Sequence, residues 1–254
     1  MTLLLTWVVP DGIVMGADSA LTFSDARDKT TMTLADAYKV IPYDREHKTF
    51  GLAFYGLARI NNEWTSNWLR HYVTHCQAPQ TIEDFAQRLA ADLNALGLQV
   101  PEPLGMHIAG WEVVAQSNEG IEPRFFEVTN GDPRTGKIRP YFSVRDILGA
   151  EVLADIRKYR AGEKTVYPMR FGSAGVPASF STDWIAQTFV PAQTKMLGVQ
   201  IPQPNITSVT EYVRFLIGMV ADSQRIARQH ATVNRPIETL ILFPDFKQAI
   251  STRY

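Results

Sequence analysis

Thr2-Leu3-Leu4-Leu5-Thr6-Trp7-Val8-Val9-Pro10-Asp11-Gly12-Ile13-Val14-Met15-Gly16-Ala17-Asp18-Ser19 contains two β-favouring apolar runs, residues 2–9 and 13–19, separated by Pro-Asp-Gly. Apolar runs of this length around such a turn signal read as a hairpin with a short loop, so the chain opens with paired strands. The first run lacks a basic flank and a small-residue cleavage site, and the turn breaks it at once. It reads as neither a signal peptide nor a membrane-spanning helix.

Working outward, residues 23–29 read as a polar loop, and 37–43 and 49–55 as two further short strands. Between residues 60 and 76, Trp64, Trp68, Leu69, Tyr72, Val73 and Cys76 recur at helical spacing and predict one apolar stripe. A second helix follows: Thr81 is its cap, Asp84 stands at the capping-box position, Ile82, Phe85, Leu89, Leu93 and Leu96 form its apolar face, and Gly97 ends it. Strands are expected at 106–113, 124–128 and 166–171, with the charge-rich interval 130–165 assigned no regular element of its own. Helices are expected at 182–193 and at 208–229, the latter starting on the Ser208-Val209-Thr210-Glu211 capping box, and a strand at 237–243 closes the fold. Strands, two helices, strands, two helices and a strand make a layered α+β sandwich, with helices covering sheets rather than alternating with parallel strands. Neither a repeat nor a linker divides the chain, so residues 1–254 read as one domain.

Composition narrows the function. Twenty-five Lys and Arg against 26 Asp and Glu give a net charge of -1, with no electrostatic footprint for nucleic acid or an anionic membrane. A single cysteine, Cys76, leaves no disulfide framework and no Cys-x-x-Cys pair, which fits a reducing cytoplasm. Gly-x-Gly-x-x-Gly does not occur, and Thr135-Gly136-Lys137 is not followed by Ser or Thr, so no nucleotide cofactor is expected. His71 and His75 stand four residues apart beside Cys76, but the Glu of His-Glu-x-x-His is missing. Half-buried histidines at a helix margin account for them, and no metal is assigned. Trp64 and Trp68 read as helix-packing residues.

The chemistry lies at the chain start. A threonine hydroxyl is a weak nucleophile that needs a base, and at a chain terminus its own α-amine serves as one. Thr2 reaches that state once Met1 is removed. An α-amine of ordinary pKa is neutral in about one molecule in seven at pH 7, and a neighbouring cation raises that share by disfavouring the ammonium form. Lys39 is the candidate cation, and Asp18 is the carboxylate that would hold it charged and in place.

Residues 2–19 resemble the opening of proteasome β-subunits, a family of N-terminal nucleophile (Ntn) hydrolases. In that family the nucleophilic Thr is followed sixteen residues later by a structural Asp in Ala-Asp-Ser, matched without a gap by Thr2 and Ala17-Asp18-Ser19. Lys39-Val40-Ile41 matches the family's lysine strand, and Phe54-Tyr55-Gly56-Leu57-Ala58 its Gly-bearing strand end. Phe171-Gly172-Ser173-Ala174-Gly175 resembles its Gly-Ser-Gly turn, and 222–238 looks closest to the bacterial ancestral β-subunit branch. The resemblance implies a four-layer αββα sandwich. It also implies Thr2, Asp18, Lys39, Gly56 as oxyanion donor (with Tyr55 as the alternative) and Ser173 as catalytic residues. Thr22 would pair with the substrate backbone, while Leu21, Ala37, Ala53 and Leu57 would line a small apolar pocket. Thr232 keeps a hydroxyl where the family also has a carboxylate that this chain lacks. The implied activity is a threonine-type peptidase in a self-compartmentalised homo-oligomer, a ring or helical stack, acting on peptide or unfolded protein, with an ATPase unfoldase admitted as a partner. An Ntn amidase acting on a small substrate and a catalytically silent ring subunit that retains Met1 are the alternatives.

Overall fold

The computed structural model describes residues 3–19, 21–24, 31–34, 37–45, 48–98, 103–114, 120–132, 135, 137–165, 167–168, 170–174, 205–226, 236–246 and 248–253. In chain order the elements are β1 (Leu4–Val9), β2 (Gly12–Asp18), β3 (Leu21–Ser24), β4 (Thr31–Leu34), β5 (Val40–Arg45), β6 (Lys48–Gly56), β7 (Arg59–Ile60) and β8 (Glu63–Trp64). There follow α1 (Thr65–His75), α2 (Ile82–Ala95), β9 (Leu104–Val113), β10 (Ile121–Gly131), β11 (Ile138–Asp146), α3 (Gly149–Arg160), β12 (Arg170–Ala174), α4 (Ile206–Ile226), β13 (Ile237–Leu242) and β14 (Gln248–Arg253).

Two five-stranded sheets, ordered β12-β1-β2-β13-β14 and β11-β10-β9-β6-β5, stack face to face. Every neighbouring pair within them is antiparallel. The largely apolar sequence of β1, interrupted only by Thr6, follows from its position, because both faces are covered. Leu4 and Val8 point into the space between the sheets with Ile13, Met15, Ala17, Trp111 and Phe125. Leu3, Leu5 and Val9 lie on the other face with Val209, Val213, Leu216, Ile217 and Val220 of α4. Those α4 positions recur at helical spacing, the stripe a helix needs to lie on a sheet. Gly16 lets it lie close, since a Cβ there would stand 2.3 Å from the Val213 side chain. On the far side, Phe50, Leu52 and Phe54 of β6 pack against Leu69 and Val73 of α1 and Phe85, Leu89 and Leu93 of α2. The order of layers is therefore αββα. Each such large side chain contributes about 1.5–3 kcal/mol when fully buried.

The opening hairpin and α2 form as their residues dictate. Val9 pairs with Gly12 across the Pro10-Asp11 turn, and Asp11 accepts the Ile206 N–H at the start of α4 at 3.1 Å. Thr81 caps α2 by accepting the Asp84 N–H at 2.9 Å, and Gly97 just beyond the helix has φ +59.

Elsewhere the structure departs from expectation. Phe23, assigned to a loop, lies in β3, which pairs with β4. The first helix begins only at Thr65, because Asn61 and Asn62 take φ 48 and 66 and turn β7 back onto β8; Asn tolerates that region better than most residues. The interval 130–165 holds both β11 and α3. β11 is a largely exposed edge strand, and α3 buries only Val152, Leu153 and Ile156, so neither carries a strong periodic signal. The cap of α4 is Asn205, which accepts the Ser208 N–H at 2.8 Å, three residues before the capping box that was read. The strand expected at 166–171 is found at Arg170–Ala174, and β14 extends the sheet beyond β13. The helix expected at 182–193 lies outside the described residues.

Polar contacts also occur inside the inter-sheet core: Thr6 Oγ1 and His107 Nδ1 are 2.9 Å apart, and both residues are buried. Burial, aided by the charge of Arg145, pushes the imidazole down from 6.5 to about 3. Between those values the unfolded chain binds a proton that the folded chain does not, so stability is lost as pH falls through that window. Denaturant titrations should show the wild type losing up to about 1.4 kcal/mol per pH unit from this group below pH 6.5. His107→Gln, which cannot ionise, should show a shallower acid slope; equal slopes would contradict the assignment.

Candidate active site

The hairpin returns the chain to its own beginning. β2 runs antiparallel to β1 with Ala17 opposite Leu4, so Asp18 arrives beside Leu3. The Leu3 N–H donates to Asp18 Oδ1 at 2.8 Å, and the Asp18 N–H donates to the Leu3 carbonyl at 3.3 Å. The other carboxylate oxygen, Oδ2, faces Lys39 Nζ at 3.4 Å, and neither side chain of this pair is exposed.

Lys39 stands immediately before β5, in the second sheet, while Asp18 ends β2 in the first. Main-chain bonds lock this junction. Ser19 N–H donates to the Pro236 carbonyl and Ala37 N–H to the Ser19 carbonyl, each at 3.1 Å, and Phe54 N–H donates to the Lys39 carbonyl at 3.2 Å. Glu238, buried on β13, accepts the N–H of Lys39 at 2.6 Å and of Val40 at 3.1 Å on Oε2. Burial lowers the Lys39 pKa from its usual value, while the charge and hydrogen bond of Asp18 and the charge of Glu238 pull it back up.

Gly56 ends β6 with φ +93, and a Cβ there would stand 1.7 Å from the Pro103 carbonyl oxygen. No other residue fits. The Tyr55 side chain is committed to the core, its hydroxyl 3.0 Å from Thr129 Oγ1; burial and the charge of Glu127 push it up to about 12. Ala53 is buried on β6 opposite Val40 and His107. Ala37 is buried and Leu57 packs against the same core. Leu21 and Thr22 are placed on β3 opposite Leu34 and Thr33, and Ser173 on β12 opposite Leu5. Thr2 and Thr232 lie outside the described residues.

The structure thus brings together Leu3, Asp18 and Lys39 and adds Glu238, to which the motif reading gives no role in the site. The signal was present: Glu238 is the only charged residue in the run Ile237-Glu238-Thr239-Leu240-Ile241-Leu242, and a lone charge inside an apolar strand needs a partner. On α1, the His71 and His75 rings stack at 4.0 Å, and His75 Nδ1 lies 2.9 Å from the His71 carbonyl oxygen. Among the described residues no group of three or more His, Cys, Asp or Glu could hold a metal ion, and no helix is long and apolar enough to cross a membrane.

Comparison with solved structures places the fold. The chain is similar to an Anbu Gly-1 mutant from Hyphomicrobium sp. strain MC1, with a TM-score of 0.53, 11% identity, and coverage of 100% of this chain and 88% of that one. It is also similar to Anbu, an ancestral beta-subunit, from Yersinia bercovieri, with a TM-score of 0.54, 10% identity, and coverage of 100% and 86%. A proteasome-like sandwich is therefore the fold of this chain. No family model matches the chain, and no curated protein matches it. These findings correct the resemblance drawn from the motifs: at 10–11% identity the likeness extends to a distant proteasome-like Ntn fold and not to membership of the β-subunit family or its ancestral branch.

A buried ion pair that loses one partner typically costs about 3–5 kcal/mol, because the remaining charge is left uncompensated. Asp18→Ala should lower the unfolding free energy by about that amount in urea titrations. Adding Lys39→Met should recover much of the loss, and a double variant no more stable than Asp18→Ala would show that the charge is not the cause.

Proposed function

We propose that the chain is an N-terminal threonine hydrolase acting on peptides, with Thr2 as its nucleophile after removal of Met1. The observation that carries this reading is the Asp18 carboxylate, which holds the N–H of Leu3, the residue directly after Thr2, on one oxygen and faces Lys39 on the other. The first covalent step would then take place at a chain start held beside a buried cation.

In this mechanism the Thr2 α-amine takes the proton from Oγ as Oγ bonds to the scissile carbonyl carbon, and returns it to the leaving amine as the peptide bond breaks. Water, deprotonated by the same amine, attacks the ester and releases the acid and the free Thr2 hydroxyl. Lys39 acts by its charge, which disfavours a second ammonium nearby and keeps the amine available as a base. The Gly56 N–H is assigned to the oxyanion, a role worth a few kcal/mol in the transition state. Its φ of +93 at the end of β6 supports this, because glycine lets the backbone take that turn. Ser173 and Thr232 are assigned auxiliary hydroxyl roles, Thr22 the substrate backbone, and Leu21 and Ala53 a small apolar pocket. Self-association into a closed oligomer would confine this chemistry to peptides and unfolded chains.

Mass spectrometry of the N-terminal peptide of the purified protein should show Thr2 first, and short fluorogenic peptides should be cleaved. Thr2→Ala should lose turnover by at least about a thousandfold, the scale of losing a nucleophile. Quantitative retention of Met1, or undiminished turnover in Thr2→Ala, would sink the reading.

A further inference from the structure

β13 is a strand of apolar residues interrupted by Thr239 and one carboxylate, and that carboxylate has no exposed surface. A charge placed there must be matched by hydrogen bonds and an opposite charge, or the site would neutralise it. Glu238 Oε2 accepts two successive main-chain N–H groups, from Lys39 at 2.6 Å and Val40 at 3.1 Å. β13 pairs with β2 so that Ile237 stands opposite Asp18 and Glu238 opposite Ala17. Lys39 therefore lies at a junction where two neighbouring strands of the first sheet each carry one buried carboxylate. Among the described residues, the charged groups acting on its ammonium are Asp18 from β2 and Glu238 from β13.

We propose that Glu238 is a positioning residue of the Lys39 site: it holds the Lys39–Val40 backbone at the start of β5 and supplies, with Asp18, the negative charge that keeps the lysine an ammonium. The two tasks separate chemically. Glutamine retains an acceptor oxygen for the N–H groups but carries no charge, whereas aspartate retains the charge and shortens the reach by one methylene.

The experiment titrates the Lys39 side chain by NMR in full-length protein labelled at the lysine ε-carbon, assigned with Lys39→Met. In Glu238→Gln, Lys39 should lose its proton about one pH unit lower than in wild type, the scale of a nearby charge. Superimposable titrations would overturn the proposal. Should Glu238→Gln not fold, Glu238→Asp serves: the Lys39 and Val40 amides should exchange faster with solvent while Lys39 titrates near its wild-type value. Unchanged exchange would overturn the backbone role. For catalysis the proposal rests on the N-terminal threonine reading, which predicts that the alkaline limb of kcat/KM moves to lower pH in Glu238→Gln, with KM unchanged. The two fail separately. If wild type keeps Met1 and cleaves nothing, the threonine reading falls and the Lys39 titration still decides Glu238; if cleavage depends on Thr2 but Lys39 titrates alike in both proteins, only the Glu238 proposal falls.

Discussion

A buried carboxylate that divides its oxygens between a main-chain N–H and a lysine organises the molecule. Asp18 holds Leu3 at 2.8 Å and faces Lys39 at 3.4 Å, with neither charged side chain exposed. Such a pair repays its desolvation only if its geometry is held and its other hydrogen bonds are made. The surrounding strands are placed accordingly. β1 and β2 must pair in the register that puts Leu3 beside Asp18, and β5 must begin where Lys39 can cross from one sheet to the other. Two further polar contacts bridge the sheets: Thr6 with His107, and Trp111 Nε1, which donates to the Leu242 carbonyl at 3.0 Å. Apolar packing is non-directional and leaves two stacked sheets free to slide, whereas these few directional contacts tolerate one alignment.

Much of the fold was legible in the sequence where burial leaves a strong pattern. β1, β2 and β6 are covered on both faces and read as dense apolar runs, and α2 announces both its ends through Thr81, Asp84 and Gly97. β11 and α3 were not legible. One is an edge strand whose nine residues include a single buried one, and the other has three buried side chains in twelve. Weak burial leaves weak periodicity, and charge-rich composition then reads as loop. The turn at Asn61-Asn62 was missed for a different reason: its signal is a backbone conformation, which a hydrophobic pattern does not encode.

The candidate site divides in the same way. Asp18 and Lys39 stand in short motifs that sequence comparison by eye can find, and the structure brings them together. Glu238 ends the segment 222–238 compared with the ancestral branch but carries no role in that resemblance, yet it touches Lys39 through the backbone. Backbone partners escape motif reading because the residue they hold can be of any type, and only the fold brings a distant strand alongside. Family membership, inferred from those same motifs, did not survive comparison. Tripeptides such as Ala-Asp-Ser span a small fraction of 254 residues, and a fold can persist at 10–11% identity because burial pattern and turns, not residue identity, specify it.

The chemistry assigned to the site depends on the balance among three groups rather than on any one. Burial alone would drive Lys39 toward the neutral amine, which could not act on a neighbouring base by charge. Asp18 opposes this, but at 3.4 Å its contact lies at the long end of a hydrogen bond, and one of its oxygens is already engaged with Leu3. Glu238 opposes it from the adjacent strand without competing for the ammonium's hydrogens, since its bonds go to the backbone. Desolvation thus pulls Lys39 toward the neutral amine, and the two carboxylates pull it back toward the ammonium. In the proposed mechanism, a change in either carboxylate would reach the Thr2 amine through the charge of Lys39.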